Sequence, residues 1–250
     1  MPCFTSHVRR RWKLIAVGAI VGIAAVTIAL TRSTPEPEYD GKPLSYWLDI
    51  IANPSVSHTE RNPADLQTTA DTALRQIGTN AYPLVIKWTA KEFPQFVIIA
   101  VRKWKWERLE TKIKQDFQRK MQASVFFQRM RQEASTAVPM LSNIVVSATP
   151  TSYASFFARS DLQAIGTNGY AAIVSIMKNP NVRSEVRSQC VNTLVGQYFA
   201  RKRDGRPPFE GLGKALHDCT TDQDATFRAA AKTYLQKYAP DLLTNNAAAK

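Results

Sequence analysis

Apolar residues recur at spacings of three and four along most of the chain after residue 38, and the same short polar sequence interrupts them twice. Residues 77–82 read Ile-Gly-Thr-Asn-Ala-Tyr, and residues 165–170 read Ile-Gly-Thr-Asn-Gly-Tyr. In each copy an apolar helical face runs up to a glycine, which adopts the left-handed conformation that ends a helix at little cost. The Thr or Asn that follows the glycine is suited to cap the next helix. The pattern therefore predicts an antiparallel helix pair at each copy.

The distance between the two copies indicates a repeat. Gly78 and Gly166 are 88 residues apart, about two units of the roughly 40 to 47 residues found in HEAT and armadillo repeats. No segment alternates apolar and polar residues over a useful strand length. We therefore predict an all-α fold, a HEAT/armadillo-like α-α superhelix (solenoid) over residues 39–240. The predicted helices span 63–77, 80–93, 134–148, 152–165, 168–178, 182–198, 209–219 and 222–238, the last capped by Asp222 or Asp224.

The start of this region carries a second pattern. Residues 41–48 read Gly-Lys-Pro-Leu-Ser-Tyr-Trp-Leu, and apolar residues such as Leu44 and Trp47 stand at helical spacing. They predict an amphipathic helix that covers the end of the first repeat. This opening, together with Ala-Leu-Arg-Gln-Ile-Gly-Thr-Asn-Ala-Tyr-Pro-Leu at 73–84, resembles bacterial membrane-anchored HEAT-repeat proteins. The resemblance implies a superhelix used for protein binding, and it carries no catalytic residues across.

The N-terminal 38 residues predict a membrane anchor and a linker. Residues 14–30 contain no charge and are close to the shortest length that spans a bilayer as a helix. Residues 1–13 are basic, so the positive-inside rule places them in the cytoplasm and the bulk of the chain outside. Residues 31–38 form a Pro-rich linker. We expect a single-pass protein of the inner or cell membrane, with a cleaved signal peptide ending near residues 27–29 as the alternative.

The formal net charge of +13 is unevenly distributed. Five of the positive residues flank the apolar N-terminal segment, and residues 102–131 contain ten Lys or Arg against three acids. Residues 96–130 contain no glycine and predict one long helix, with Trp106, Ile113, Phe117 and Met121 among the apolar residues of one side. The candidate binding residues of its basic side are Arg102, Lys103, Lys105, Arg108, Lys112 and Arg119.

This basic helix allows three interpretations: a solvated face, a contact with anionic lipid head groups, or a contact with an acidic protein partner. Trp104 and Trp106 suit a membrane interface. Nucleic acid would need the opposite topology, because the positive-inside pattern places the body outside the cytoplasm, so we expect no nucleic-acid partner.

Two cysteines also leave alternatives open. Under this topology Cys190 and Cys219 face an oxidising compartment, so either a disulfide between them or two buried free thiols fits the sequence.

Motifs for catalysis or cofactor binding are weak. His217, Asp218 and Cys219 are consecutive, so on a helix they point in different directions and cannot form a nucleophile relay. Residues 211–214 read Gly-Leu-Gly-Lys but lack the spacing of a phosphate-binding loop, and a helix start explains them. We therefore expect no enzyme activity, no metal and no cofactor.

The sequence predicts a non-catalytic extracytoplasmic scaffold or adaptor that binds a protein partner through a HEAT-like repeat surface. The alternative is a membrane-surface module whose basic helix, residues 102–131, binds anionic lipid head groups. Residues 241–250 are predicted to be a flexible tail.

Overall fold

The structure is a computed structural model that describes residues 35–53, 63–104 and 106–244. The chain divides into two units, residues 1–36 and 37–250. The predicted cytoplasmic segment 1–13, the predicted anchor 14–30 and residues 31–34 of the linker lie outside the described residues. Among the residues that are described, no helix combines the length and the apolar character that a membrane span requires.

The second unit begins with a short hairpin that the sequence pattern did not predict. Strands β1 (Glu38–Tyr39) and β2 (Lys42–Pro43) pair antiparallel, with Tyr39 opposite Lys42. Asp40 and Gly41 connect them with φ values of 49° and 66°. A two-residue turn of this kind needs positive φ at both positions, which is why Asp-Gly favours it.

The described residues are otherwise mostly helical, which confirms the all-α prediction. Three 3-10 segments, Gly78–Ala81, Arg131–Ala137 and Cys219–Thr221, stand beside helix ends. The helices are α1 (Leu44–Ala52), α2 (Pro63–Ile77), α3 (Tyr82–Ala90), α4 (Gln95–Trp104), α5 (Glu107–Met130), α6 (Val138–Ser147), α7 (Tyr153–Ile165), α8 (Thr167–Lys178), α9 (Ser184–Arg203), α10 (Leu212–Asp218), α11 (Ala225–Tyr238) and α12 (Asp241–Thr244).

The basic segment forms two helices, so the prediction of one long helix over 96–130 is wrong. Helix α4 ends at Trp104 and α5 begins at Glu107. The predicted apolar side is wrong in part as well, because Trp106, Phe117 and Met121 are exposed. Helix α5 packs against α1, α2, α3, α4 and α7, so its neighbours decide which of its residues are buried. Its buried apolar residues are Ala123, Phe126, Phe127 and Met130.

Three helix pairs turn at a residue with positive φ. Gly78 (53°) stands between α2 and α3, and Gly166 (93°) between α7 and α8, as the sequence predicts. Arg131 (47°) takes the same place between α5 and α6, so this junction has no glycine to mark it. The predicted Thr or Asn caps are wrong, since no side chain caps α3 or α8. After Gly78 a 3-10 turn leads into α3 instead.

Helices near one another in sequence pack on one another. Helix α5 contacts α3 and α7, α6 contacts α7 and α8, and α9 contacts α8 and α11. One cluster of buried apolar side chains runs from Leu44 in α1 to Leu235 in α11. Leu44 and Trp47 are part of this cluster, as the predicted first helix requires.

The C-terminal helices are held by a buried arginine. The guanidinium of Arg187 lies 3.9 Å from the ring centre of Phe227, donates to the carbonyl of Met177 at 2.8 Å and pairs with Asp222. Asp224 accepts hydrogen bonds from the backbone N–H groups of Thr226 and Phe227, which confirms a predicted cap of this helix.

The first residues of the predicted tail are helical. Residues 241–244 form α12, and Asp241 accepts a hydrogen bond from Tyr198 at 2.7 Å and pairs with Lys202 at 3.0 Å. Residues 245–250 lie outside the described part of the chain.

Candidate functional site

An apolar cleft of about 230 Å³ opens between the loop after α3, helices α4 and α5, and the loop before α7. The apolar walls that define this cleft are Phe93, Ile98, Ile113, Phe117 and Tyr153. The rings of Phe117 and Tyr153 meet edge-on with their centres 5.7 Å apart. Both side chains are exposed at the mouth of the cleft. A concave, mainly apolar surface with a few polar groups is typical of a binding site.

The polar groups beside the cleft are bound to one another. Asp116 is buried and lies 2.8 Å from the ammonium of Lys91 and 3.9 Å from that of Lys120. The carboxylate of Glu92 accepts a hydrogen bond at 3.1 Å from the backbone N–H of Ala154, in the first turn of α7. These bonds hold the loop after α3 against α5 and α7, and so set the shape of the cleft.

Lys120 is the buried cation of this cluster. Its ammonium donates to the carbonyls of Trp88 and Thr89, both at 3.0 Å, and to the carbonyl of Lys91. An ammonium has three hydrogens to donate, and here all three have acceptors. Burial lowers the pKa of Lys120, and the charge of Asp116 opposes that shift. The side chain therefore closes the C-terminal turn of α3 and is not a free amine.

A second buried polar group lies in the core between α3, α5 and α7. Asp161 is fully buried and accepts hydrogen bonds from the hydroxyls of Thr89, at 3.1 Å, and Ser124. Burial raises the pKa of Asp161 to about 7, although both hydrogen bonds and Lys120 act to lower it. This carboxyl group changes protonation near neutral pH.

The sequence-predicted binding residues are only partly brought together. Lys103, Arg108 and Lys112 are exposed around the junction of α4 and α5. The side chain of Arg102 and the whole of Lys105 lie outside the described part of the structure. At this junction the rings of Trp104 and Trp106 lie with their centres 5.3 Å apart.

Arg119 does not belong to that exposed group. Its guanidinium lies 4.7 Å from the ring centre of Trp88 and donates to the side chain of Gln122 at 3.0 Å. Half-buried between α3 and its own helix, it packs on the body of the protein.

Cys190 and Cys219 are free and buried, so the structure shows the second of the two predicted alternatives and not the disulfide. The thiol of Cys219 donates to the carbonyl of Ala215 at 3.2 Å. Burial raises the pKa of each thiol to about 12, which keeps both in the unreactive protonated form.

The other motifs have structural roles. Gly211, with φ of 71°, directly precedes α10, which confirms the predicted helix start. Asp218 forms an ion pair with Lys178 at 3.3 Å, and the thiol of Cys219 is hydrogen-bonded to the backbone carbonyl of Ala215. Within the described residues, no group of three or more His, Cys, Asp or Glu side chains could hold a metal ion.

The cleft itself was missed by sequence reasoning. Phe93, Ile98 and Tyr153 come from three separate segments, and nothing local to any of them shows that they meet. A local signal existed only for the pair Asp116 and Lys120, which stand four apart on one helix face. Their spacing is that of ordinary surface ion pairs, so it does not show that both are buried.

Comparisons of this chain with family models, curated proteins and solved structures find no match.

Proposed function

We propose that residues 39–240 are a HEAT-like α-α superhelix that acts as a non-catalytic scaffold and binds an apolar segment of a protein partner in the cleft. The observation that carries this proposal is the exposed apolar lining: Tyr153 is 59% and Phe117 is 44% exposed at the mouth of a concave surface. When a partner covers large apolar side chains that are in contact with water, the free energy falls, and this favours binding.

The repeat interpretation has structural support of its own. The turns at Gly78, Arg131 and Gly166 each join the first helix of a pair to the second. Helices of adjacent pairs then pack on one another, α3 on α6 and α6 on α8. Stacked helix pairs of this kind are the construction of a solenoid, which presents an extended surface to partners.

The polar groups beside the cleft favour binding over catalysis. Lys120 is saturated by three backbone carbonyls, and Asp116 is paired with Lys91. A general acid or base needs a free position toward its substrate, and these groups are committed to each other and to the backbone. If the predicted anchor at 14–30 spans the membrane, the partner is extracytoplasmic.

The proposal is tested by photo-crosslinking in cells with the full chain. A benzophenone amino acid replaces Tyr153 at the mouth of the cleft, and a second variant carries it at Phe199. Phe199 is 48% exposed on α9 and is not part of the cleft lining, which makes it a matched control. We expect a discrete protein adduct from position 153 and none of that mass from position 199.

A substitution inside the cleft completes the test. Ile113→Glu places a charge on the apolar wall and should abolish the adduct from position 153, because the partner's apolar segment would have to desolvate that carboxylate. Circular dichroism of the variant checks that it keeps its helices. The proposal is wrong if position 153 gives no protein adduct, or if Ile113→Glu leaves the adduct unchanged.

A further inference from the structure

Helix α4 has apolar side chains on both of its sides, although only one side is packed. Val101 is buried and Ile98 lines the cleft. Phe96 and Ile99 are 72% and 62% exposed, and Lys103 is exposed as well. These three positions are separated by three and four residues, so they share one helix face, turned away from Val101. A helix that is apolar all round is normally covered on all sides.

The exposed face continues across the junction with α5. Trp104 and Trp106 are 58% and 51% exposed, and their rings lie in contact with centres 5.3 Å apart. Tryptophan is enriched where one side of a ring is apolar and the other is wet, as at a membrane surface. The four exposed side chains Phe96, Ile99, Trp104 and Trp106 make up what we call the α4–α5 edge.

Cations accompany these apolar side chains. Lys103 lies on the exposed face of α4, and Arg108 and Lys112 are four residues apart on α5. Within the described part of the chain, none of the three has a carboxylate within ion-pair distance. Between residues 95 and 115 the sequence contains two acids, Glu107 and Glu110, and Glu110 is paired with Lys114 at 2.8 Å.

We propose that the α4–α5 edge binds the surface of a bilayer that contains anionic lipid. Phe96, Ile99 and the two tryptophans enter the interface, while Lys103, Arg108 and Lys112 contact the anionic head groups. Exposed aromatic and aliphatic side chains flanked by lysine and arginine are the composition of a peripheral membrane contact. The positive charge favours an anionic lipid surface over a neutral one, and each cation near such a surface strengthens binding about five-fold.

This contact is separate from partner binding in the cleft, since Phe96 and Ile99 are not part of the cleft lining. It concerns a different occupant and a different surface. Either proposal can therefore hold when the other fails.

The test uses the full chain with a benzophenone amino acid at Phe96, the most exposed residue of the edge. The protein is reconstituted in nanodiscs of phosphatidylcholine alone, or of phosphatidylcholine with about 30% phosphatidylglycerol. After irradiation, lipid adducts on the peptide that contains residue 96 are measured by mass spectrometry. We expect lipid adducts mainly in the anionic discs. Raising the salt concentration from about 0.05 M to about 0.5 M should reduce them, because the Debye length shortens about three-fold.

Charge variants separate a specific contact from general attraction. In K103Q/R108Q/K112Q we expect at least ten-fold fewer lipid adducts, since the loss of three head-group contacts of about five-fold each weakens binding about a hundred-fold. The matched control K214Q/K232Q/K237Q removes the same charge from exposed lysines on α10 and α11, and should retain the original yield.

Three results would overturn the proposal. The first is an equal yield of lipid adducts in neutral and anionic discs, and the second is equal yields from the two triple variants. The third is a benzophenone at position 96 that crosslinks to a protein in cells and never to lipid, which would assign the edge to a protein partner. A probe at Tyr153 in the same discs shows separately whether the cleft is near the bilayer.

Discussion

The ammonium of Lys120 lies 3.0 Å from the carbonyl oxygen of Trp88, so a side chain of α5 closes the last turn of α3. The final carbonyls of a helix have no partner within it, and a cation there also meets the negative end of the helix dipole. The same ammonium binds the carbonyls of Thr89 and Lys91. The loop that leads into the cleft is thus positioned by one buried lysine.

Replacing this lysine should destabilise the protein strongly. Lys120→Met removes the cation and leaves buried carbonyls unpaired, and Asp116 loses one of its two positive neighbours. Breaking a buried charge cluster in this way costs about 3–5 kcal/mol. Urea denaturation followed by circular dichroism measures the loss. Lys112→Met, on the exposed side of the same helix, should change the free energy of unfolding by less than about 0.5 kcal/mol. Equal effects of the two substitutions would contradict the assigned role of Lys120.

Asp161 should make stability fall as pH rises toward neutral. The folded protein holds the proton up to about pH 7, because burial raises the pKa of this carboxyl group from an ordinary value of 3.8. The unfolded chain releases it near the ordinary value, so between these two pH values the folded state binds more protons than the unfolded state. The contribution of Asp161 to the free energy of unfolding should then decrease by about 1.4 kcal/mol per pH unit as the pH rises, and level off above pH 7.

The Asp161→Asn variant isolates this contribution. Its side chain is of similar size and does not ionise, so the stability of wild type relative to the variant should decline between about pH 5 and about pH 7. Urea denaturation of both proteins across this range provides the measurement. Two curves that stay parallel would show that Asp161 is ionised in the folded protein.

Two glycines with different surroundings should respond in opposite ways to alanine. A Cβ atom on Gly169 would lie 1.7 Å from the carbonyl oxygen of Leu162, so α8 approaches α7 too closely for any side chain. Gly169→Ala should cost about 3 kcal/mol or more, since one of the two helices has to move. A Cβ atom on Gly196, within α9, meets nothing within 4 Å. Gly196→Ala should stabilise the protein by about 0.5–1 kcal/mol, because alanine favours the helix. Thermal unfolding of both variants measures the two changes in stability. A change in the same direction for both variants would refute this prediction.

The buried thiols should be unreactive in the native protein. The raised pKa values of about 12 keep Cys190 and Cys219 protonated, and burial blocks access by reagents. In a Cys3→Ser background, iodoacetamide should label neither thiol before denaturation and both after it. Intact mass spectrometry without reductant should also give the mass of a chain that retains both thiol hydrogens. Labelling of the folded protein, or a mass lower by two hydrogens, would contradict this state.

Local sequence was sufficient for the secondary structure of most of the described chain. Helical spacing of apolar residues, and glycine at the ends of α2 and α7, depend on neighbours within a few residues, so they can be read without the fold. The same holds for Asp224, which caps its own helix. Local sequence was insufficient where different residue types occupy the same place in the fold, and where a glycine has a role other than a turn. Arg131 occupies a turn that glycine marks elsewhere, and the second copy of the repeated sequence has Gly169 where the first has Ala81.

The sequence by itself determined that this protein is helical, where most of its helices begin and end, and which segment carries its excess positive charge. Only the tertiary structure decided that Lys120 is buried while Lys112 is exposed, although both belong to one basic helix. It also decided that α4 is separate from α5, and that Phe93 and Tyr153 meet in a cleft. The physical reason is that periodicity and capping act within one or two helical turns. Burial, ion pairing and concave surfaces depend on which elements come together across the chain, and no local pattern records that.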